Sequence, residues 1–168
     1  MNASSAYLIQ YPARLFQAVN VPVKTVWGGE VTYDIQKIRC TGGRSFRGQE
    51  AREDWVWVRA GRPTEYGLLR GHLPGKLKAL FTFKTEESTE EERLAVIRLA
   101  EVEKRGESNS SHGLVTVVDR PDGDEERDVV VEVKTIVAMA HLIRDQRNSR
   151  RWYVNTRIDL WTFRFFHD

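Results

Sequence analysis

Trp55-Val-Trp-Val58 is apolar and aromatic or β-branched at every position, which suits a strand covered on both faces, and Gly61-Arg-Pro-Thr64 after it is a turn signal. Neighbouring segments repeat the theme. In Val31, Tyr33, Ile35 and Ile38 the apolar residues almost alternate with Thr32, Asp34 and Gln36, and Gly28-Gly29 before them permits a tight reversal. Tyr66-Gly-Leu-Leu-Arg70 and Lys76 to Lys84 follow, separated by Gly71-His-Leu-Pro-Gly75. Short strands at roughly ten-residue spacing predict a small barrel or sandwich.

The rest of the chain extends this pattern. Leu94 to Val102 has two readings: Ser88 with Glu91 and Thr89 with Glu92 are capping-box pairs that open a helix, whereas Ala-Val-Ile-Arg-Leu is equally a buried strand. The strand is favoured because it continues a meander. Leu114 to Val118 and Val129 to Val133 resemble a hairpin around Pro121-Asp-Gly123. Thr135 to Ile143 gives one more strand or short helix, and Trp152 to Asn155 another strand. Helices are expected at Ala13 to Asn20, after Pro12, and from about Thr156. The 168 residues, 40% hydrophobic with seven Phe, five Tyr and five Trp, suit one domain spanning 1–168 with a core of ordinary size. The expected fold class is mainly β with minor α: a small barrel or strongly bent antiparallel sheet of about six to eight strands with one or two short helices.

The net charge of +2 hides a segregation. Residues 1–84 carry 13 Lys and Arg against 6 acids, residues 85–128 carry 6 against 14, and residues 129–168 carry 7 against 4. The acidic or serine-rich stretches 85–93, 103–113 and 119–128 have little apolar side chain to offset ordering and read as mobile loops. The longest apolar stretch, Ile136 to Ala140, is far below the roughly 20 residues of a membrane-spanning helix, so no membrane association is expected. The opening residues lack the pattern of a secretory signal, and Cys40 is the only cysteine, which points to a reducing, intracellular setting.

Chemistry-bearing clusters are sparse. His72, His112, His141 and His167 are isolated from one another, and one cysteine builds no closed zinc site, so neither metal nor cofactor is expected. Cys40, between Arg39 and Thr41-Gly-Gly43, lacks a nucleophile signature and reads as a packed strand-end thiol. Gly42-Gly-Arg-Ser-Phe-Arg-Gly48 has the glycines and arginines of a phosphate cradle without the Gly-Lys-Ser/Thr ending of a P-loop; a basic surface loop is the preferred reading. No pair of acids has a spacing that acid–base chemistry requires.

The basic and aromatic surface is the strongest functional lead. Arg39, Arg44, Arg47, Arg52, Arg59, Arg62, Arg70, Lys76 and Lys78 fall on successive strands or their connections, and arginine suits planar contacts with phosphate. A second basic knot, Arg144-Asp-Gln-Arg147-Asn-Ser-Arg150-Arg151, sits in an expected loop. Trp55, Trp57 and Tyr66 lie among the first set as candidates for base stacking or an aromatic pocket, although two tryptophans two residues apart more simply share one sheet face and fill the core. The acidic middle segment is a candidate internal competitor for the basic face.

Ile136-Val-Ala-Met-Ala-His-Leu-Ile143, then Trp152-Tyr-Val-Asn-Thr-Arg-Ile-Asp159 and Phe163, resembles the closing segment of fungal DNA-transposon proteins of the Plavaka and related CACTA-like kinds. Tyr66-Gly-Leu-Leu, Leu80 to Phe83 and Leu94-Ala-Val-Ile-Arg98 look like the strands that precede that segment, so the resemblance covers residues 54–166. Arg144 stands where such segments commonly carry proline. The chain leaves no room for those transposases' acidic-triad nuclease domain and matches none of its catalytic acids, so the resemblance implies an accessory β-barrel module and not a working transposase. In it, Asn155 is expected to cap a C-terminal helix or turn, and His141 to be a satisfied buried histidine.

The expected function is a non-enzymatic interaction module of a mobile-element-derived, intracellular and nuclear protein. It would contact nucleic acid, DNA in preference, through Arg44, Arg47, Arg59, Arg62, Arg70, Lys76, Arg150 and Arg151. The alternative is a protein-binding or chromatin-reading barrel with an aromatic pocket at Trp55, Trp57 and Tyr66. Catalysis ranks third.

Overall fold

The computed structural model describes residues 13–27, 30–41, 52–59, 71–84, 90–103, 115–119 and 128–155. Their strands are β1 (Arg14–Phe16), β2 (Ala18–Trp27), β3 (Glu30–Arg39), β4 (Trp55–Arg59), β5 (His72–Phe83), β6 (Glu92–Leu99), β7 (Glu101–Val102), β8 (Thr116–Val118), β9 (Asp128–Glu132), β10 (Ile136–Met139), β11 (Leu142–Arg144) and β12 (Arg151–Val154). A single 3-10 turn, Val133–Thr135, precedes β10. The fold class is mainly β, and every strand pairing is antiparallel.

β5 is the spine of the largest sheet, ordered β10-β4-β5-β6-β9. One edge takes β4 along His72–Lys76 and then β1 along Leu80–Thr82, while the other takes β6 from Gly75 to Phe83. Gly71, at φ 76°, turns the chain into β5. Register shifts between Leu77 and Ala79, and between Ile136 and Ala138, bend the sheet locally. A second sheet runs β11-β12-β8-β7, and β2 with β3 forms a two-stranded ribbon.

Two segments expected as single strands each change sheets at an alanine. β6 leaves the large sheet at Ala100 and continues as β7; β10 leaves at Ala140 and continues, past His141, as β11. Both alanines are buried, and both keep a bond to the sheet they leave, Ala100 N–H donating to Pro74 C=O at 3.0 Å and Ala140 N–H to Trp55 C=O at 2.8 Å. A methyl side chain fits where one strand serves two sheets, and these corners help raise the strand count above six to eight.

The core joins all three sheets: Val21, Val23 and Ile38 from the ribbon, Val56, Trp57, Leu77 and Ile97 from the large sheet, and Val117 and Val154 from the second sheet. β4 is buried from Trp55 to Val58, as its two-sided apolarity predicts. Cys40 is a buried free thiol in an isolated bridge to Glu53.

Three expectations are corrected, and the face of β3 is settled. Residues 13–20 hold β1 and the start of β2, not a helix, because Val19, Val21 and Val23 alternate with Asn20, Pro22 and Lys24 and turn one face inward. β5 begins at His72, so Pro74-Gly75 lie within a strand and not in a loop. β8 and β9 do not form a hairpin: β8 pairs with β7 and β12, and β9 with β6. On β3 the apolar stripe Val31, Tyr33 and Ile35 faces solvent while Ile38 faces the core, since Ile38 lies an odd number of positions, three, beyond Ile35 and so on the opposite face. Leu94–Val102 is strand, as favoured. The Gly28-Gly29 turn, the strand at 66–70, the Pro121-Asp-Gly123 turn and the helix from Thr156 lie outside the described residues, as do 85–89, 104–113 and 120–127 of the acidic stretches.

Gly75 sits at a close approach of β5 to β6: a Cβ there would lie 2.5 Å from Ile97 Cγ2 and 2.9 Å from the Arg98 carbonyl oxygen. Ile97 is fully buried and the carbonyl belongs to the sheet, so neither yields cheaply. Gly75→Ala is expected to cost about 1–3 kcal/mol by overpacking, read as a lower urea midpoint at unchanged slope. An unchanged midpoint would refute this close approach.

Candidate nucleic-acid interface

Five cations on the described strands, Arg14, Lys76, Lys78, Arg98 and Arg151, are engaged by carboxylates. Lys76 on β5 pairs with Asp119, just past β8, and its ammonium lies 5.1 Å from the ring centroid of Trp55 and 5.8 Å from that of Trp152. The two rings are 5.5 Å apart at 59°. A strand cation expected to face a ligand is therefore held between two tryptophans and an aspartate, linking the large sheet to the second sheet. Arg151 donates from Nε and Nη2 to Glu103 Oε1 at 3.1 and 2.7 Å, and this bond raises its pKa further. Arg98 binds Asp128 with two bonds of 2.8 and 3.1 Å across β6 and β9. Lys78 pairs with Glu53 at 2.5 Å and Arg52 with Asp54 at 2.9 Å.

Glu103, Asp119 and Asp128 all come from the acidic middle segment. That segment supplies the counter-ions of Lys76, Arg98 and Arg151, so the expected ligand contacts Lys76 and Arg151 sit in cross-strand and cross-sheet ion pairs. Charge segregation along the chain was the signal for this pairing; what sequence lacked was the register that matches one acid to one base.

Two residues of the expected aromatic pocket, Trp55 and Trp57, are buried. Trp57 has no exposed surface, and Trp55, 8% exposed, is turned toward Lys76 and Trp152. Neither presents an open ring face. Tyr66, Arg44, Arg47, Arg62 and Arg70 lie outside the described residues, as does the glycine-rich 42–48 segment. Asn155 continues the β11–β12 pairing, its N–H donating to His141 C=O at 2.9 Å, and His141 is half-buried. Among the described residues no cluster of His, Cys, Asp and Glu has the makings of a metal site, and no helix is long and apolar enough to cross a membrane.

Arg59 is exposed and opens on a cleft of about 1060 Å³. Lys24, His72, Arg93 and Lys134 share its walls with Glu90, Glu91, Glu92 and Glu132, and Lys134 is paired with Glu132. Four carboxylates thus line the same cleft as Arg59, Lys24, Arg93 and Lys134, which offsets its attraction for an anion.

The connection between β11 and β12 differs. Arg144, Arg147 and Arg150 are exposed, and none of them forms an ion pair with a described residue. The loop is built by its own polar groups. Asp145 accepts from the Arg147 N–H at 2.8 Å and from the Tyr153 hydroxyl at 2.9 Å, while Asn148 accepts from the N–H groups of Arg150 and Arg151 at 3.0 Å each. Asp145 N–H closes the hairpin on Arg151 C=O at 2.9 Å, and Asp119 N–H fixes Arg150 C=O at 2.7 Å. Arg144 donates from Nε to Ser149 C=O at 3.2 Å, with its guanidinium carbon 5.9 Å from the Trp152 centroid. The Arg147 N–H and the Tyr153 hydroxyl hold the Asp145 carboxyl below the usual carboxylate range, and the same hydroxyl contact pushes the Tyr153 phenol up. Asp145 therefore organises the loop as an anion, and three arginines project from a preordered ribbon tip. Arg150 was expected here; the support of Trp152 for Arg144 was not, because it needs the strand pairing Arg144↔Trp152.

Neither a protein-family model nor a curated protein nor a solved structure gives a significant match to the chain.

Proposed function

We propose that the chain is a non-enzymatic interaction module that contacts nucleic-acid backbones through the tip of the β11–β12 hairpin, with Arg144, Arg147 and Arg150 as the phosphate contacts. The observation that carries this reading is the clustering at one hydrogen-bonded hairpin tip of three exposed arginines that have no carboxylate partner among the described residues, whereas Lys76, Lys78, Arg98 and Arg151 have one. A preordered loop lowers the entropic cost of holding them in place. DNA is the favoured form, because its major groove, about 12 Å wide, admits a two-stranded ribbon. Contacts of this kind position a protein on the backbone without reading sequence. The resemblance of residues 54–166 to the closing region of fungal transposon proteins supports a nuclear, mobile-element-derived setting. Lys76 inside the Trp55–Trp152 cleft weighs against the alternative aromatic-pocket reading.

The test is binding to labelled double- and single-stranded DNA and RNA across a salt series. Every phosphate that a cation neutralises adds about 0.9 to the slope of log K against log salt on duplex DNA, so Arg144→Gln/Arg147→Gln/Arg150→Gln is expected to flatten it by about 2–3. Circular dichroism confirms the fold of the variant. An unchanged slope, or no binding by the parent chain at low salt, would sink the proposal.

A further inference from the structure

The β2–β3 ribbon leaves an apolar stripe uncovered. Val31, Tyr33 and Ile35 are 50%, 64% and 63% exposed on one face of β3, a strand whose only ladder partner among the described strands is β2. Their backbone groups on the side away from β2 meet no described strand. Cys40 N–H donates to Gln17 C=O, and the unbroken register from there places the even-numbered residues of β3 in bonding position toward β2. The odd-numbered ones point to the other edge. Residue 39 confirms the parity, because Arg39 N–H and C=O bond Asp54 on that edge. From 39 to 41 the edge is covered by residues 52–54; at Val31, Tyr33 and Ile35 no described strand covers it.

We propose that this edge pairs with the same edge of a second copy of the chain, antiparallel about a two-fold axis at Tyr33. Hydrogen-bond parity requires odd residues to face odd residues, which sets apolar against apolar: Tyr33 opposite the copy's Tyr33, and Val31 opposite the copy's Ile35. Charge then selects the register. With the axis at Tyr33, Thr32 faces the copy's Asp34 and Glu30 faces the copy's Gln36, so no like charges meet. A shift by two positions one way sets Asp34 against the copy's Asp34, and the other way sets Glu30 against it; both are destabilising. The stripe and the edge are thus self-complementary in one register, and the result is a four-stranded sheet shared by two chains. A bare edge with apolar side chains is otherwise a site of uncontrolled association.

Sedimentation velocity of the full chain over rising concentration should show a monomer–dimer equilibrium. Thr32→Asp puts a like charge opposite Asp34 twice per dimer and should raise Kd about tenfold, whereas Thr32→Lys should lower it. Register is read by cysteine cross-linking, native Cys40 being buried. Opposed Cα atoms in a bonded pair lie about 5.5 Å apart, within disulfide range. Tyr33→Cys should cross-link to itself; Val31→Cys should cross-link to Ile35→Cys in a mixture and not to itself. A chain that stays monomeric, or a dimer that ignores both Thr32 substitutions and the cross-linking pattern, would overturn the proposal. Capture of a foreign strand by a monomeric chain would do the same.

Discussion

Trp57→Ala is expected to lower stability by about 3–5 kcal/mol, the largest single-residue effect in the molecule. Trp57 has no exposed surface and stands in the middle of β4, between Pro74 of β5 and Ala138 of β10. Val56 and Val58 bury the opposite face of the same strand. Removing the indole therefore opens a void that neither face can close without shifting the large sheet, and the cost includes forfeited dispersion attraction as well as transfer free energy. A domain has about 5–15 kcal/mol in total, so the variant should lose much of its urea resistance and unfold tens of degrees lower. Trp57→Phe keeps most of the volume and should lose far less. Equal urea midpoints for Trp57→Ala and the parent, followed by circular dichroism, would remove Trp57 from the core.

Trp57 is also the clearest case of structure legible in sequence. Four consecutive apolar residues with turn signals nearby leave a strand few options but two-sided burial, and β4 has it. Local pattern sufficed because the constraint is local. Val31, Tyr33 and Ile35 show the opposite: alternation foretold the strand but not the face that meets the core, since that depends on whether Val19, Val21 and Val23 of β2 or the β3 stripe turns inward. Pairing choices were equally out of reach. Thr116–Val118 and Asp128–Glu132 look like hairpin partners because they are neighbours in sequence, yet each finds its ladder with a more distant strand. The candidate interface divides the same way. Exposure of the 144–151 knot follows from its composition, whereas the withdrawal of Lys76 and Arg151 follows from long-range partners, Asp119 and Glu103.

The Lys76–Asp119 clamp is expected to show its worth only when broken from one side. Both side chains are about four-fifths buried, at 22% and 18% exposure, against the rings of Trp55 and Trp152. Asp119→Ala leaves the ammonium in that cleft without its carboxylate. Breaking a fully buried pair costs about 3–5 kcal/mol, and with this residual solvation about 2 kcal/mol is expected. Lys76→Met should cost less, because its chain still fills the cleft. Lys76→Met/Asp119→Ala removes both charges and should recover most of the loss, since an uncharged pair avoids the desolvation that the ion pair must offset. The double-mutant cycle should therefore give a coupling of about 1–2 kcal/mol. Because the pair joins β5 to the strand-end beside the Arg150 carbonyl, Asp119→Ala should also loosen the hairpin tip, seen as faster amide exchange at Asp145 and Arg151. Additive single effects, with exchange at the tip unchanged, would mean that the Lys76–Asp119 pair contributes nothing to the joining of the two sheets.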